Sequence, residues 1–552
     1  MPVITLERER FSKFVGRELA LSEMEKWLPW LGFDIEEVGE DNLKVEFNPN
    51  RVDFCSYAGV ARAFKGLRGW EVGLPRYEVR NGITVLNIRS AVSKVRPFML
   101  GAVVRDISLD ELGVVDLMEM QEDLHWGIGR DRKKASIGVH NLDAVKPPFT
   151  FTTAEPKSVK FTPLDKTEEM SLKEILEKHE KGMAYKHLVD WARKYPLLID
   201  KDGNVLSMPP IINGELTRID EKTRNLFLDV TGTDYVAVER SLNVLSTALA
   251  EMGGTIEKVK VRFHDHTVLS PDLDPKKAKL RAAYAEELLG LRLSEPKIVE
   301  CLQKCRLGAE KTGRGVVKVE VPAYRIDILH EVDLVEEVAI GYGYYNIRPT
   351  FPSSVTIGGR HPAYKTANKT KHIMIGLGFT EVMNFTLTSE RMHYEKMRRP
   401  VDKPVMLANP ISIEYTIMRQ DLLPNLMMNL ANNRHESFPQ RLFEASDVVW
   451  LNSRQETGCE RRMRLAAVSS HATANFTEIK SAVEALLANM SVKSWRISET
   501  AHPSFIEGRA ATIHVKNRQI GVLGELHPEV LNNFELENPA SAFEIDLELL
   551  NL

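Results

Sequence analysis

Cysteine is scarce in this sequence. Only Cys55, Cys301, Cys305 and Cys459 occur among 552 residues, and no two stand in a CxxC spacing. Neither a disulfide framework nor a cysteine zinc site is supported. Long apolar runs are also missing, with no stretch approaching the ~18 uninterrupted apolar residues of a membrane span. Glu7, Arg8, Glu9 and Arg10 stand where a secretory signal needs an apolar core, so a cytoplasmic protein without membrane partners is expected. Neither sign of charge dominates: 73 Lys and Arg against 77 Asp and Glu give a net charge of -4. This excludes a polybasic coat but not nucleic acid, because phosphate binding needs only a local basic face. There is no GxxxxGK[ST] loop, HExxH helix, GxSxG elbow or GxGxxG turn after a strand. The common nucleotide, zinc-protease and serine-hydrolase readings therefore lack support.

What is present is enough apolar material, 43% of the residues, for several cores. At ~100–200 residues per domain the length predicts roughly three to five of them. Near the N-terminus a helix is expected from Ser22 through Leu31, stopped by Gly32, then a strand over residues 43–47 and a helix over 57–64. Strand-like runs at 101–104, 136–139 and 226–230 alternate with helices. One of these opens with the capping box Ser171 to Glu174 and carries the i,i+4 pairs Glu174–Lys178 and Glu177–Lys181. A helix over 276–289 ending at Gly290, a second after Ser294 with Pro296 in its first turn, an extended segment over 316–321 and an acidic helix suggest a winged-helix-like unit. From residue 352 onward, strands at 442–450, 465–469, 511–515 and 542–547 with intervening helices point to an antiparallel sheet carrying helices.

Three clusters carry candidate chemistry. Asp333, Glu336 and Glu337 share one helix face, with Asp327 just upstream. Such carboxylates suit Mg²⁺ or Ca²⁺ better than zinc, although an acidic first turn also complements the helix dipole. Arg130, Arg132, Lys133 and Lys134 around Asp131 could meet phosphates or form an exposed basic loop. Ser207 to Glu215, with Asn213 inside it, precedes a strand on which Asp229 and Thr231 project to one face; this describes a polar pocket floor or a half-exposed strand.

At these residues the chain resembles the beta subunit of phenylalanyl-tRNA synthetase in its archaeal and eukaryotic-cytosolic form. The matching segments are Asn48 to Asp53, the Pro-Pro-Ile-Ile-Asn-Gly stretch ending at Gly214, Val230 to Asp234, Asp327 to Glu337 with Gly341-Tyr342-Gly343, and Gly521 to Pro528. They run in family order across almost the whole chain.

The resemblance implies an α+β multidomain chain. Its parts would be a small N-terminal α/β module (1–84), a mixed α/β editing module (85–262), a winged-helix-like metal-binding module (268–350) and a non-catalytic class II synthetase-like domain (352–552). It implies an (αβ)₂ heterotetramer with a catalytic alpha subunit, ATP-dependent joining of phenylalanine to its tRNA, and hydrolysis of wrongly attached tyrosine. Mg²⁺ is carried over onto Asp327, Asp333, Glu336 and Glu337. The editing pocket is carried over onto Ser207, Asn213, Glu215, Asp229 and Thr231, with Glu215 as reader of the tyrosine hydroxyl and no dedicated side-chain base. Catalytic class II members place an Arg two residues before a Glu; here Leu442 precedes Glu444, and Arg441 lies on the other strand face. The last strand brings Glu544 and Asp546 where an Arg would meet the triphosphate. A stand-alone RNA-binding protein or a free deacylase would leave the last ~200 residues without a purpose.

Overall fold

Alternation of apolar and polar residues builds the first sheet. Val3–Glu7, Asp34–Val38 and Asn42–Glu46 pair antiparallel, with Asn42–Glu46 in the middle, and bury Ile4, Leu6, Leu43 and Val45 on one face. The computed structural model describes residues 2–351, 354 and 356–550, in two units, Met1–Thr350 and Phe351–Leu552. The helix expected from Ser22 begins instead at Leu21 with Ala20 as its cap. It changes at Leu28 into a 3₁₀ turn containing Pro29, whose missing N–H cannot continue an α-helix, and ends at Gly32 with φ 90°. Ser56 caps the next helix, Tyr57–Leu67, by accepting from the Gly59 N–H.

The largest element of the first unit is a ten-stranded mixed sheet. From one edge its order is Ile212–Asn213, Val205–Met208, Tyr195–Ile199, Phe149–Ala154, Val79–Ile88, Thr255–Arg262, Phe98–Arg105, Leu226–Gly232 and Ala135–Asn141, with Thr267–Ser270 attached to Thr255–Arg262. Leu226–Gly232 is not half-exposed. All seven of its residues are buried, because strands flank it on both edges and the helix Tyr235–Glu251 packs against it. The capping box at Ser171 is present, but its helix stops at Lys178. Glu177 therefore pairs with Lys173 at 3.5 Å and Lys181 with Glu122 at 3.5 Å, instead of with each other.

A three-stranded sheet of Lys276–Arg281, Val316–Val321 and Gly308–Lys311 follows, packed with the helices Ala282–Leu289, Glu295–Lys304 and Glu331–Tyr342. Residues 276–281 were expected as helix and form strand. Their alternation places Ala278 and Leu280 toward the apolar cluster and Lys277, Lys279 and Arg281 on the other face, and helix begins only at Ala282.

In the second unit a seven-stranded sheet runs in the order Thr380–Glu381, Gln440–Leu451, Cys459–Ser470, Ala540–Asp546, Arg518–Leu526, Phe505–Val515, Trp495–Glu499. Every pairing is antiparallel except the first. Pro362–Gly376 and Phe476–Asn489 cover one face; Leu423–Asn432 and Pro528–Asn533 cover the other. The architecture of the chain is thus mixed α/β and multidomain.

Candidate functional site

Ser207, Asn213 and Asp229 line one cavity of about 200 Å³ in the first unit, together with Gln121, Arg132 and Gly138. Register explains the convergence: Asp229 lies opposite Gly138, and Ser207 opposite Asn213. Gly138 is needed there, since a Cβ would come within 2.2 Å of Asp229 Oδ2 and 2.8 Å of His140 Nε2. Arg132 ties the Pro-Pro-Ile-Ile turn to the wall by donating to the carbonyls of Pro210 at 3.3 Å and Ile211 at 3.0 Å, and to Glu122 at 2.7 Å. Three polar atoms here, Ser207 Oγ, Gln121 Oε1 and Arg132 Nε, are buried without a hydrogen-bond partner among the described residues. Buried polar groups are normally paired, so this lining suits a polar ligand.

Behind Asp229 stands a residue the sequence reading missed. His140 is fully buried, with Nε2 2.7 Å from Asp229 Oδ2 and Nδ1 2.8 Å from Thr217 Oγ1. The Thr217 hydroxyl donates to Gly214 O at 3.1 Å, so it accepts from Nδ1–H. His140 and Asp229 then share the remaining proton between Nε2 and Oδ2. Nothing in the local sequence marked His140; only the strand register brings it two residues along from Gly138.

The other two expected pocket residues do not line this cavity. Thr231 is buried, but its hydroxyl accepts from Arg96 Nε at 2.8 Å. Burial pushes Arg96 down to about 9, against the attraction of Asp229. Glu215 lies in the 3₁₀ turn Glu215–Thr217, where its carboxylate accepts from the Asp165 N–H at 2.9 Å and pairs with Arg218 at 3.0 Å. It remains close in the chain to the lining residue Asn213.

The four carboxylates expected to bind metal are not gathered into one ligand set. Arg325, buried, takes two of them, donating to Asp327 at 2.9 and 2.7 Å and to Glu337 at 2.9 and 2.5 Å. Asp333 turns back to the helix start and accepts from the N–H groups of Leu329 at 2.7 Å and His330 at 2.6 Å. Glu336 lines a cavity of about 250 Å³ with Asp327, Glu337, Trp30 and Tyr344. Burial, then the neighbouring Glu337 and Asp327, push its carboxyl above the usual range. Among the described residues no group of three or more His, Cys, Asp or Glu is arranged to hold a metal ion, so the four-carboxylate set as it stands does not fit one.

Comparison with known proteins resolves the family. Residues 347–547 match the phenylalanyl tRNA synthetase beta chain CLM domain, 278–344 the tRNA synthetase B5 domain, and 124–251 the B3/4 domain. The phenylalanine--tRNA ligase beta subunit of Methanosarcina barkeri is 46% identical over 549 residues, 99% of each chain. The chain belongs to the phenylalanine--tRNA ligase beta subunit family. The corresponding subunit of Methanothrix thermoacetophila is 44% identical over the full length of both. An N-terminal fragment of the phenylalanyl-tRNA synthetase beta subunit from Pyrococcus horikoshii is 39% identical; the match has a TM-score of 0.60 and covers 62% of this chain and 99% of the fragment. Membership places the chain among the aminoacyl-tRNA synthetases, RNA-binding ligases of protein biosynthesis in which metal binding is typical. The cavity described above lies largely within the B3/4 match, and the acidic helix lies within the B5 match.

The CLM-matching unit holds a further cavity of about 510 Å³, lined by Glu544 and Asp546 of the last strand, whose acids are met by arginines from elsewhere in the unit. Glu544 accepts from the Leu422 and Leu423 N–H groups at 3.1 Å and pairs with Arg464 at 3.0 Å. Arg464 also pairs with Asp421 at 2.6 Å, Arg399 pairs with the same Asp421, and Arg462 lies 3.8 Å from Asp546. Three arginines thus meet three carboxylates. Arg441 pairs with Glu478 at 3.0 Å, on the face opposite Glu444, while Glu444 is met by the buried Arg419 at 2.8 Å. Neither the Leu442 position nor the last strand announced these arginines, which come from other strands and loops.

Proposed function

We propose that the chain acts with a catalytic alpha subunit, in an (αβ)₂ assembly, to attach phenylalanine to its tRNA at the expense of ATP. Its own cavity in the 85–262 module would hydrolyse misattached tyrosine. The observation carrying the editing reading is the cavity at Ser207, Asn213 and Asp229, with its three unpartnered buried polar atoms. Editing is needed on physical grounds: an apolar site shaped for phenylalanine rejects a ring bearing one extra hydroxyl only about 10²-fold. A second, polar site reverses the preference, since an unpaired buried acceptor costs about 1–3 kcal/mol.

Glu215 remains our reader of the para-hydroxyl. It is held by a pair with Arg218, worth about 0–1 kcal/mol, and by the Asp165 N–H. Turning the side chain toward Asn213 exchanges these contacts for a carboxylate–phenol hydrogen bond of about 1.5–3 kcal/mol. Deacylation of preformed tyrosyl-tRNA and phenylalanyl-tRNA by the assembled enzyme tests this. Glu215→Ala is expected to cut discrimination by about tenfold or more; an unchanged ratio assigns the hydroxyl to another acceptor.

The 352–552 domain is proposed as scaffold. Each arginine around its cavity already faces a carboxylate, so holding a triphosphate would require breaking those pairs. Purified without an alpha subunit, the chain should show no phenylalanine-dependent pyrophosphate exchange. Robust exchange would end the scaffold assignment.

For Mg²⁺, an ion that keeps several waters and takes one or two carboxylates, the cavity at Glu336 is the remaining place, since Arg325 holds Asp327 and Glu337 and Asp333 caps its own helix. Glu336→Gln should abolish any Mg²⁺-dependent rise in melting temperature, whereas Asp333→Asn should lower stability equally with and without the ion, through loss of the helix cap. Equal Mg²⁺ responses in wild type and Glu336→Gln would exclude this placement.

A further inference from the structure

A strained loop separates the editing cavity from a second, basic groove. Arg130, Asp131 and Arg132 are three successive non-glycine residues with positive φ, 49°, 54° and 64°. Side chains disfavour this left-handed conformation, so such a run persists only where its surroundings fix it. Here Arg132 is anchored on Pro210, Ile211 and Glu122, Asp131 accepts from the Tyr185 hydroxyl at 3.2 Å, and Lys134 N–H donates to Gly129 O at 2.7 Å. Gly129 completes the turn, since a Cβ there would come within 2.4 Å of His125 O. The consequence is a division of side chains: Arg132 lines the editing cavity, while Arg130 and Lys134 line a groove of about 720 Å³.

That groove has the composition of a site for a polyanion with aromatic bases. Trp126, 54% exposed, presents its indole there. Arg240, from the helix Tyr235–Glu251, lines the same groove with a buried Nε that has no partner. The acids of the groove are already engaged. Asp234 caps that helix at the Val236 and Ala237 N–H groups and pairs with Lys134 at 3.1 Å, and Asp131 holds Tyr185. Arg130 and Arg240 are left without an anionic partner among the described residues. Guanidinium groups track phosphates, and an exposed aromatic stacks a base of any identity.

We propose that this groove holds the single-stranded 3′ end of the tRNA. Its phosphates lie on Arg130 and Arg240 and one base lies on Trp126, so that the loop 127–134 guides the terminal ester into the cavity on its other side. The proposal rests on the editing reading, and its test separates the two. The assembled enzyme is assayed on tyrosyl-tRNA and on 3′-tyrosyl-adenosine, a minimal ester that fills the cavity but leaves the groove empty.

The double variant Arg130→Gln/Arg240→Gln should raise KM for tyrosyl-tRNA about tenfold and reduce the salt slope of binding by about 1.4, at ~0.7 per single-strand phosphate contact. Hydrolysis of the minimal ester should be unchanged. Trp126→Leu, which leaves every charge in place, should raise the same KM about fivefold. An unchanged KM for tyrosyl-tRNA in both variants overturns the groove. A parallel loss on both substrates also overturns it, by assigning these side chains to the cavity. If the unsubstituted enzyme does not hydrolyse the minimal ester, the editing reading fails. The groove is then judged by binding of a short single-stranded RNA ending in CCA, and equal affinity of wild type and the double variant overturns it.

Discussion

Arg325→Met should lower the stability of the first unit by about 3–5 kcal/mol, the cost of breaking a buried ion pair from one side. The guanidinium is only 1% exposed and holds two carboxylates, Asp327 and Glu337, each through two hydrogen bonds. Without it the buried Asp327 and Glu337 face one another uncompensated, beside Glu336. The same helix offers an internal control. Arg281 pairs with Glu331 at 2.8 Å, but its side chain is 62% exposed. Arg281→Met should therefore cost about 0–1 kcal/mol.

Arg325 also acts at longer range, on the chain of charges Arg51, Asp53, Arg62 and Glu251 that joins the N-terminal segment to the helix Tyr235–Glu251. Burial raises the Asp53 carboxyl, but Arg51, Arg62 and Arg325 together outweigh it and bring the group to about 2. A carboxyl depressed in the folded state contributes stability that is complete above its unfolded value and is lost as pH falls through the folded one. The wild type should thus lose this contribution between about pH 4 and pH 2, and in Arg325→Met, where the folded value lies nearer the unfolded one, the loss should be smaller and complete at higher pH. Calorimetric unfolding of the two variants in parallel is the measurement. Equal shifts for Arg325 and Arg281 would mean that burial of the pair contributes nothing.

The contrast between these arginines shows what sequence could and could not convey. Local rules located the acidic helix, the Ser294 and Pro296 start, the Ser171 capping box and the strand at residues 316–321, because caps, prolines and alternation act within a few residues. The same rules misread residues 276–281 as helix, since pairing with Val316–Val321, some forty residues away, decides that segment. Spacing on one helix face brought Asp333, Glu336 and Glu337 together on paper. It could not reveal that Asp333 turns to cap its own helix or that Arg325 takes Glu337. For the cavity proposed to edit, Ser207, Asn213 and Asp229 were legible through the family motif. His140 and Gln121 were not, because they belong to segments that reach the site only through sheet register and helix packing.

His140 makes Asp229 the position where a single atom change should matter most for editing. The Thr217 hydroxyl is committed as a donor to Gly214 O, so His140 Nδ1 must donate to Thr217, and one proton lies between Nε2 and Asp229. Asn at position 229 can donate its amide hydrogen to a neutral Nε2, which preserves the contact and the packing while removing the negative charge. That charge opposes the burial of Arg96, and it borders the cavity in which an ester carbonyl would be attacked. Asp229→Asn is therefore expected to reduce deacylation of tyrosyl-tRNA by about 10²-fold, the usual scale for one positioned acid–base group. Aminoacylation by the assembled enzyme should be unaffected. Gly138→Ala approaches the same carboxylate sterically, its Cβ arriving 2.2 Å from Oδ2, and should produce a comparable loss by displacing the group rather than neutralising it. Steady-state deacylation of both variants, with circular dichroism to verify folding, decides the matter. Retention of wild-type editing by Asp229→Asn would show that the pair only supports the cavity floor, and the proton between His140 and Asp229 would then have no part in hydrolysis.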